Sequence, residues 1–238
     1  TRYISVTGVQ TCALPICIDF ETYYHERDYT LKKMTTEAYI RDPQFEVIGV
    51  ALQTECDRPK WFSGTKAQTK EFLESWNLHE NIALAHNAAF DMAILNWHFG
   101  IKPKRIADTL SMARAIHGTE VGGSLAALAE HYRIGVKGHE VSNVSGMHRI
   151  DFNAEALARY GDYCENDVQL TLALFEKMAV DFDVNELRLI DLTIRMFSEP
   201  TLQLNPLVLN TYLESIKETK ESLLSKMQIT KEQLMSNP

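Results

Sequence analysis

Ile18-Asp19-Phe20-Glu21-Thr22 is the stretch on which the reading of the fold turns. Isoleucine, phenylalanine and threonine favour extended backbone, and on a strand the side chains at i and i+2 project from one face. Asp19 and Glu21 therefore share a face, while Phe20 points into the opposite layer. Two carboxylates so placed are either a solvated sheet face or the floor of a site, and the surrounding chain has to decide between them.

Working outward, Phe45–Leu52 (FEVIGVAL) is a second β-rich apolar run. Lys60–Ser63, with Trp61 and Phe62, is a third, and Asp57-Arg58-Pro59 between them suits a hairpin connection. Thr65–Trp76 places Phe72, Leu73 and Trp76 at helical spacing. Ile82–Ala85 reads as a short buried strand and Ala88–Phe99 as a helix that Gly100 ends. Further helices start near Thr109 and after Ser124, the latter running to about Tyr132. Gly135–Arg149 reads as loop, and Asn153–Met178 as one or two helices with a break near Gly161. Three antiparallel strands, a helix, another strand and then mostly helices describe an α/β sandwich with a mixed central sheet. Past it, Asn185–Phe197 is a helix broken by Pro200, and Asn205-Pro206 supplies an N-cap and N1 proline for a long helix to about Met227. Thr230 with Gln233 then forms a capping-box pattern.

Composition sets the outer limits. Of 238 residues, 45% are hydrophobic and 24% charged, with 7 Pro and 11 Gly, which excludes a disordered or collagen-like chain. The length fits one full domain plus an appendage. No apolar run approaches the ~18 residues of a membrane span. The formal net charge of −8 opposes a protein held on nucleic acid by its overall field, so any such contact has to be local. Lys217–Lys231 interleaves glutamate with its lysines and reads as a solvated helix face, not a nucleic-acid track. Cys12, Cys17, Cys56 and Cys164 form no CxxC pair or zinc-like spacing, which points to free thiols in a reducing, cytoplasmic compartment.

Two more acidic clusters follow the first. In His86-Asn87-Ala88-Ala89-Phe90-Asp91, Asn87 is placed as an N-cap, and Asp91 lies one turn later among Ala88, Ala89, Met92, Ile94 and Leu95. An acid in so apolar a helix start has to be hydrogen-bonded, paired or metal-bound. In Tyr163-Cys164-Glu165-Asn166-Asp167, the tyrosine and the final aspartate are four apart, one above the other on a helix.

Together, DxE at Asp19/Glu21, NxxxD ending at Asp91 and YxxxD ending at Asp167 resemble the DEDD exonuclease superfamily in its tyrosine subclass. The histidine subclass needs His where Asp162 stands. DFET, AHNAAFD, GGSLAALAEHY and ARYGDYCENDV look most like the proofreading 3′–5′ exonuclease domain of phage-type family A DNA polymerases, over roughly Ile18 to Met178. The resemblance implies a ribonuclease H-like three-layer sandwich with a C-terminal helical extension. It implies hydrolysis of the terminal phosphodiester of single-stranded or frayed DNA ends, in the cytoplasm of a phage-infected bacterial host. RNA trimming of the RNase D kind, and an inactive nucleic-acid-binding spacer, are the competing expectations.

The site expected from the resemblance is Asp19, Glu21, Asp91 and Asp167 as ligands of two divalent cations, Mg²⁺ or Mn²⁺, with Tyr163 as a fifth catalytic residue. Hard oxygen ligands suit these ions, and a pair of them provides for the attacking water, the phosphoryl charge and the leaving 3′ oxygen. They would also halve the formal charge of −8 and concentrate positive charge where a phosphate sits. A phenol of pKa about 10 is a poor base at neutral pH, so Tyr163 is expected to orient the water. Thr22 and Asn87 match positions that contact the terminal nucleotide, and Phe90 the aromatic beside the scissile phosphate.

Val6–Ile16, VTGVQTCALPI, reads as a frame translation of a sequencing-library adapter. The expected organisation is therefore a scar over 1–16, an exonuclease domain over 17–180 and, over 181–238, a helical lead-in to a polymerase domain.

Overall fold

The computed structural model describes residues 15–138 and 144–228, with Thr230 and Gln233. Most of the expected scar, residues 1–14, and part of the 135–149 loop lie outside the described residues. The chain divides into two units, Thr1–Pro200 and Thr201–Pro238.

A five-stranded sheet organises the first unit: β1 (Pro15–Thr22), β2 (Val47–Thr54), β3 (Lys60–Phe62), β4 (Ile82–Ala85) and β5 (Arg105–Asp108), in the order β3-β2-β1-β4-β5. β1 is central. It pairs antiparallel with β2, placing Asp19 opposite Ala51 and Glu21 opposite Gly49, and parallel with β4. β2–β3 is antiparallel and β4–β5 parallel, so the sheet is mixed, as the strand pattern implied. β1 starts at Pro15, and Ile16, which pairs with Ala83, is 3% exposed; the strand thus extends two residues upstream of Cys17.

The strand alternation sorts the two faces. Phe20 stacks on Phe99 of α3 (Ala89–Phe99), with ring centroids 6.0 Å apart. On the other face, Asp19 and Glu21 meet α6 (Ala154–Met178), which crosses β1, β2 and β3. α4 (Thr109–His117) and α5 (Leu125–Tyr132) pack beside α6, while α1 (Thr36–Arg41) and α7 (Val184–Ser198) pack beside α3. This is the three-layer α/β arrangement. α2 (Lys66–Glu74) begins at the Thr65–Gln68 capping box and rests against β2.

Several local expectations needed correction. β5 and α1 were absent from the sequence reading: one is four residues long, the other six, too short to display a period. α6 is one unbroken helix. At Gly161 a Cβ would stand 2.6 Å from the Trp61 ring, so glycine is there for the close approach of helix and edge strand and not for a break. Asn87 is not an N-cap. It is left-handed at φ 67°, and the Asp108 carboxylate takes its role, accepting from Asn87 N at 2.8 Å and Ala88 N at 3.2 Å.

α7 belongs to the first unit, so the boundary expected at 180 falls inside that unit. Asp191 accepts from Ile106 N at 3.0 Å, and Asn96 Nδ2 donates to Ser198 O at 2.7 Å. In the second unit, α8 (Pro206–Met227) starts where Asn205 accepts from Leu207 N and Val208 N. The Thr230–Gln233 capping box is formed. Among the described residues, no helix is long and apolar enough to cross a membrane.

Candidate active site

In open α/β sheets, ligands bind beyond the carboxyl ends of strands where the chain order reverses. Here that point lies at the ends of β1 and β4, since β1 leads outward to β2 on one side and borders β4 on the other. All three acidic clusters reach it.

Asp19 and Glu21 are half-buried on the α6 face of β1. Two successive turns of α6 supply their partners. The Tyr160 hydroxyl donates to Glu21 Oε2 at 2.7 Å, and Cys164 Sγ lies 3.4 Å from both Asp19 Oδ2 and the Asp19 carbonyl oxygen. Ligand atoms of Asp19, Glu21 and Cys164 all lie within 4.8 Å of one another. Asp167 follows on the same helix face, buried at 5% exposure. Its Oδ2 pairs with Lys137 Nζ at 2.5 Å, while its Oδ1 is buried with no hydrogen-bond partner among the described residues. Asp91, in the first turn of α3 and 3% exposed, accepts from Phe20 N at 3.1 Å and so ties α3 to the floor strand. Asp91 and Asp167 flank the tight Asp19–Glu21–Cys164 group; neither is a member of it.

Burial and neighbouring charge act together on the carboxylates of β1 and α3. Burial, then the charge of Asp167, pushes Asp19 up to about 6. Burial, then Asp19, pushes Glu21 up to about 8 against the opposing Tyr160 hydrogen bond. Asp91 is raised well above its ordinary value by burial and then by Asp19. Three buried acids whose charged forms are disfavoured call for positive charge nearby. Lys137 supplies some: burial opposes its charge, but Asp167 outweighs that and holds the ammonium above its ordinary range. The oxygen-rich donor set and the orphaned Asp167 Oδ1 fit a hard divalent cation.

Tyr163 is half-buried beside Asp167, with Lys137 Nζ 5.3 Å from its ring centroid. Burial, then Asp167, raises its phenol above the ordinary value, so it remains a proton donor at neutral pH. The residues expected to touch substrate differ in availability. Asn87 is exposed and Phe90 half-buried, tilted against Tyr39 with centroids 6.0 Å apart. Thr22 is 9% exposed, and its hydroxyl lies 2.9 Å from the Tyr39 hydroxyl, committed inward.

Five residues escaped the sequence reading. Tyr160 and Cys164 stand seven and three positions before Asp167, a helical spacing that marks one face and was open to detection. Lys137 comes from a loop with no periodic signal. Glu165 accepts from Trp61 N at 2.9 Å, tying α6 to β3. Asp108 accepts five hydrogen bonds, from Asn87 N, Ala88 N, Leu110 N, Ser111 N and the Ser111 hydroxyl, and thereby anchors the starts of both α3 and α4.

Comparison with known proteins bears on the fold and the family. The chain resembles RNase D of Trypanosoma brucei, with a TM-score of 0.62 and 14% identity over 82% of this chain and 69% of that one. The same enzyme in complex with RNA U12 matches at a TM-score of 0.60 and 15% identity, over 82% of this chain and 66% of that one. NrnC of Brucella melitensis with bound Mg²⁺ matches at 0.55 and 12%, over 79% and 83%. These likenesses speak for the fold. No curated protein sequence matches. A family model described as 3′–5′ exonuclease covers residues 9–183, beginning inside the segment read as scar and ending within the first unit. The chain belongs to this 3′–5′ exonuclease family, within the DEDD superfamily.

Proposed function

We propose that the protein removes nucleotides one at a time from single-stranded or frayed DNA 3′ ends, releasing nucleoside 5′-monophosphates, as the proofreading part of a DNA polymerase. The observation that carries this reading is the convergence of Asp19, Glu21, Asp91 and Asp167 on the carboxyl end of β1, with the pKa values of Asp19, Glu21 and Asp91 raised and an Asp167 oxygen buried without a hydrogen-bond partner among the described residues. The motif wording around those acids supports the polymerase context. In this organisation residues 17–180 carry the nuclease and the later helices lead toward a polymerase domain.

Each acid has a defined part. Asp19 and Glu21 hold cations from the sheet, Asp91 from α3 and Asp167 from α6. Bound there, two divalent cations supply charge stabilisation at the phosphoryl group and leaving oxygen, and acidify the attacking water. Tyr163, kept protonated by burial and by Asp167, orients that water through its hydroxyl. Tyr160 fixes the Glu21 carboxylate by its 2.7 Å hydrogen bond. Lys137, once released from Asp167, is placed to meet a phosphate. Phe90 and Asn87 face the terminal nucleotide. Stacking of a base on an aromatic ring contributes ~1–3 kcal/mol regardless of sequence, which suits removal of whichever nucleotide was misincorporated. Selectivity then arises from the cost of fraying a correctly paired end.

A second reading is an RNA-trimming exonuclease, favoured by the likeness to an RNase D solved with RNA U12. Matched 3′-labelled DNA and RNA strands, digested in time courses with Mg²⁺ or Mn²⁺ and with chelator, separate the two. The DNA reading expects faster shortening of a 3′-mismatched DNA primer than of a matched primer or of RNA, abolished by chelator and by Asp167→Ala. Faster RNA shortening overturns it in favour of the second reading. Strand binding with no mononucleotide release under either ion overturns both and leaves a binding spacer.

A further inference from the structure

The residue at the centre of the acidic group that no carboxylate chemistry requires is Cys164. It is 0% exposed and faces β1 from α6, with Sγ 3.4 Å from Asp19 Oδ2. A thiolate at ~2.3 Å and a carboxylate oxygen at ~2.0 Å from one tetrahedral ion stand about 3.5 Å apart. The sulfur and the oxygen are thus already at the separation of two ligands sharing a metal. Glu21 completes a set of three ligand atoms within 4.8 Å. One turn along the helix, Asp167 Oδ1 is buried without a hydrogen-bond partner among the described residues. Asp19 and Glu21 are half-buried, so the group remains open to solvent on one side.

We propose that Cys164 is a sulfur ligand of this centre, so that Asp19, Glu21 and Cys164 form a mixed oxygen–sulfur site for thiophilic divalent cations of the Zn²⁺, Co²⁺ and Cd²⁺ class. The inference rests on reading Asp19 and Glu21 as metal ligands. Hard ions such as Mg²⁺ have little use for sulfur and engage the oxygens. A thiophilic ion gains the sulfur bond and holds the carboxylates of β1 against Cys164. The balance is simple: the Sγ–H proton leaves to solvent, the sulfur lone pair forms the metal bond, and no electron is transferred. The hydrogen bond from Cys164 to Asp19 is exchanged for the shared ion. Such ions therefore act as competitors of Mg²⁺ at this one site.

Titration of the full chain with Cd²⁺ and with Co²⁺, without nucleic acid, tests this through the ultraviolet sulfur-to-metal charge-transfer absorption. The expected result is a band saturating at one equivalent. Cys164→Ser should abolish the band, and the paired substitution Asp19→Asn with Glu21→Gln should remove its tight phase. Loss of sulfur should weaken Cd²⁺ binding by about tenfold or more while Mg²⁺ binding shifts far less. Absence of a band in the wild-type chain overturns the proposal. So does a band that survives Cys164→Ser, since it then arises at Cys12, Cys17 or Cys56. A tight band that survives loss of both carboxylates overturns it as well. Should Cys164→Ser fail to fold by circular dichroism, Cys164→Ala replaces it, and ¹¹³Cd NMR of the wild-type chain reads one-sulfur coordination directly. Because no strand is cleaved in these measurements, failure of the nuclease reading appears separately, as absent mononucleotide release with Mg²⁺.

Discussion

Lys137 Nζ stands 2.5 Å from Asp167 Oδ2, and the other oxygen of the same carboxylate is buried without a hydrogen-bond partner among the described residues. A single lysine thus compensates one corner of a four-carboxylate site, where a divalent cation fits better. On the proposed function, the ammonium and a cation would compete for this one carboxylate.

Lys137→Met should accordingly tighten Mn²⁺ binding, by about threefold to tenfold, equivalent to roughly 0.7–1.4 kcal/mol. Electron paramagnetic resonance of free Mn²⁺ against protein concentration reads this directly. Weaker Mn²⁺ binding in the variant would mean that Lys137 organises Asp167 and does not obstruct it.

Asp167→Ala and Tyr163→Phe should part company. Loss of the carboxylate removes a cation ligand and should cut the rate by about 10³-fold or more, since a lost metal contact costs several kcal/mol of transition-state stabilisation. Loss of the hydroxyl should cost about 10–100-fold in kcat with Mn²⁺ affinity retained. Primer-shortening rates paired with Mn²⁺ titrations test this, and an equal collapse of both quantities in Tyr163→Phe rules out a water-orienting role.

The raised carboxylates set the pH dependence of stability. A carboxyl with a folded pKa above its unfolded value binds its proton more tightly in the folded chain. It therefore stabilises the fold at low pH, and that advantage is lost as pH rises through the folded value. The windows run from 3.8 to about 6 for Asp19 and from 4.5 to about 8 for Glu21. The metal-free protein should thus lose thermal stability as pH rises through these windows, and Glu21→Gln should flatten the upper part of the slope. Saturating Mg²⁺ should reverse the loss; at a hundredfold excess over Kd the linkage is about 2.7 kcal/mol. Melting curves at several pH values, with and without Mg²⁺, decide it. An unchanged slope in Glu21→Gln removes Glu21 as its source.

Asp108→Ala should lower stability by about 3 kcal/mol, because one buried carboxylate accepts from the starts of two helices. Urea denaturation measures it. A loss under about 1 kcal/mol would show that water replaces those contacts.

Gly161→Ala should displace Trp61, whose ring lies 2.6 Å from the added Cβ position, and disturb Tyr160 one residue earlier. A changed tryptophan emission spectrum with a lower Tm is the expected outcome, and an unchanged spectrum refutes it.

Much of this molecule was legible along the chain. Strand alternation placed Asp19 and Glu21 on one face because the side-chain period of two is a local property of extended backbone. Helix starts at Ser124 and Asn205 followed from capping chemistry within three or four residues, and the helix after Thr65 from the spacing of Phe72, Leu73 and Trp76. What tertiary structure alone decided is every contact between distant residues. The Asp108 cap on α3 bridges twenty residues, the Lys137–Asp167 pair thirty, and the Tyr160–Glu21 bond 139. Asn87 shows the difference: its cap-like position is a local fact, yet a carboxylate from the next strand holds that helix start. Periodicity and capping are written in neighbouring residues, whereas the partner of a buried charge depends on which strands the sheet brings side by side.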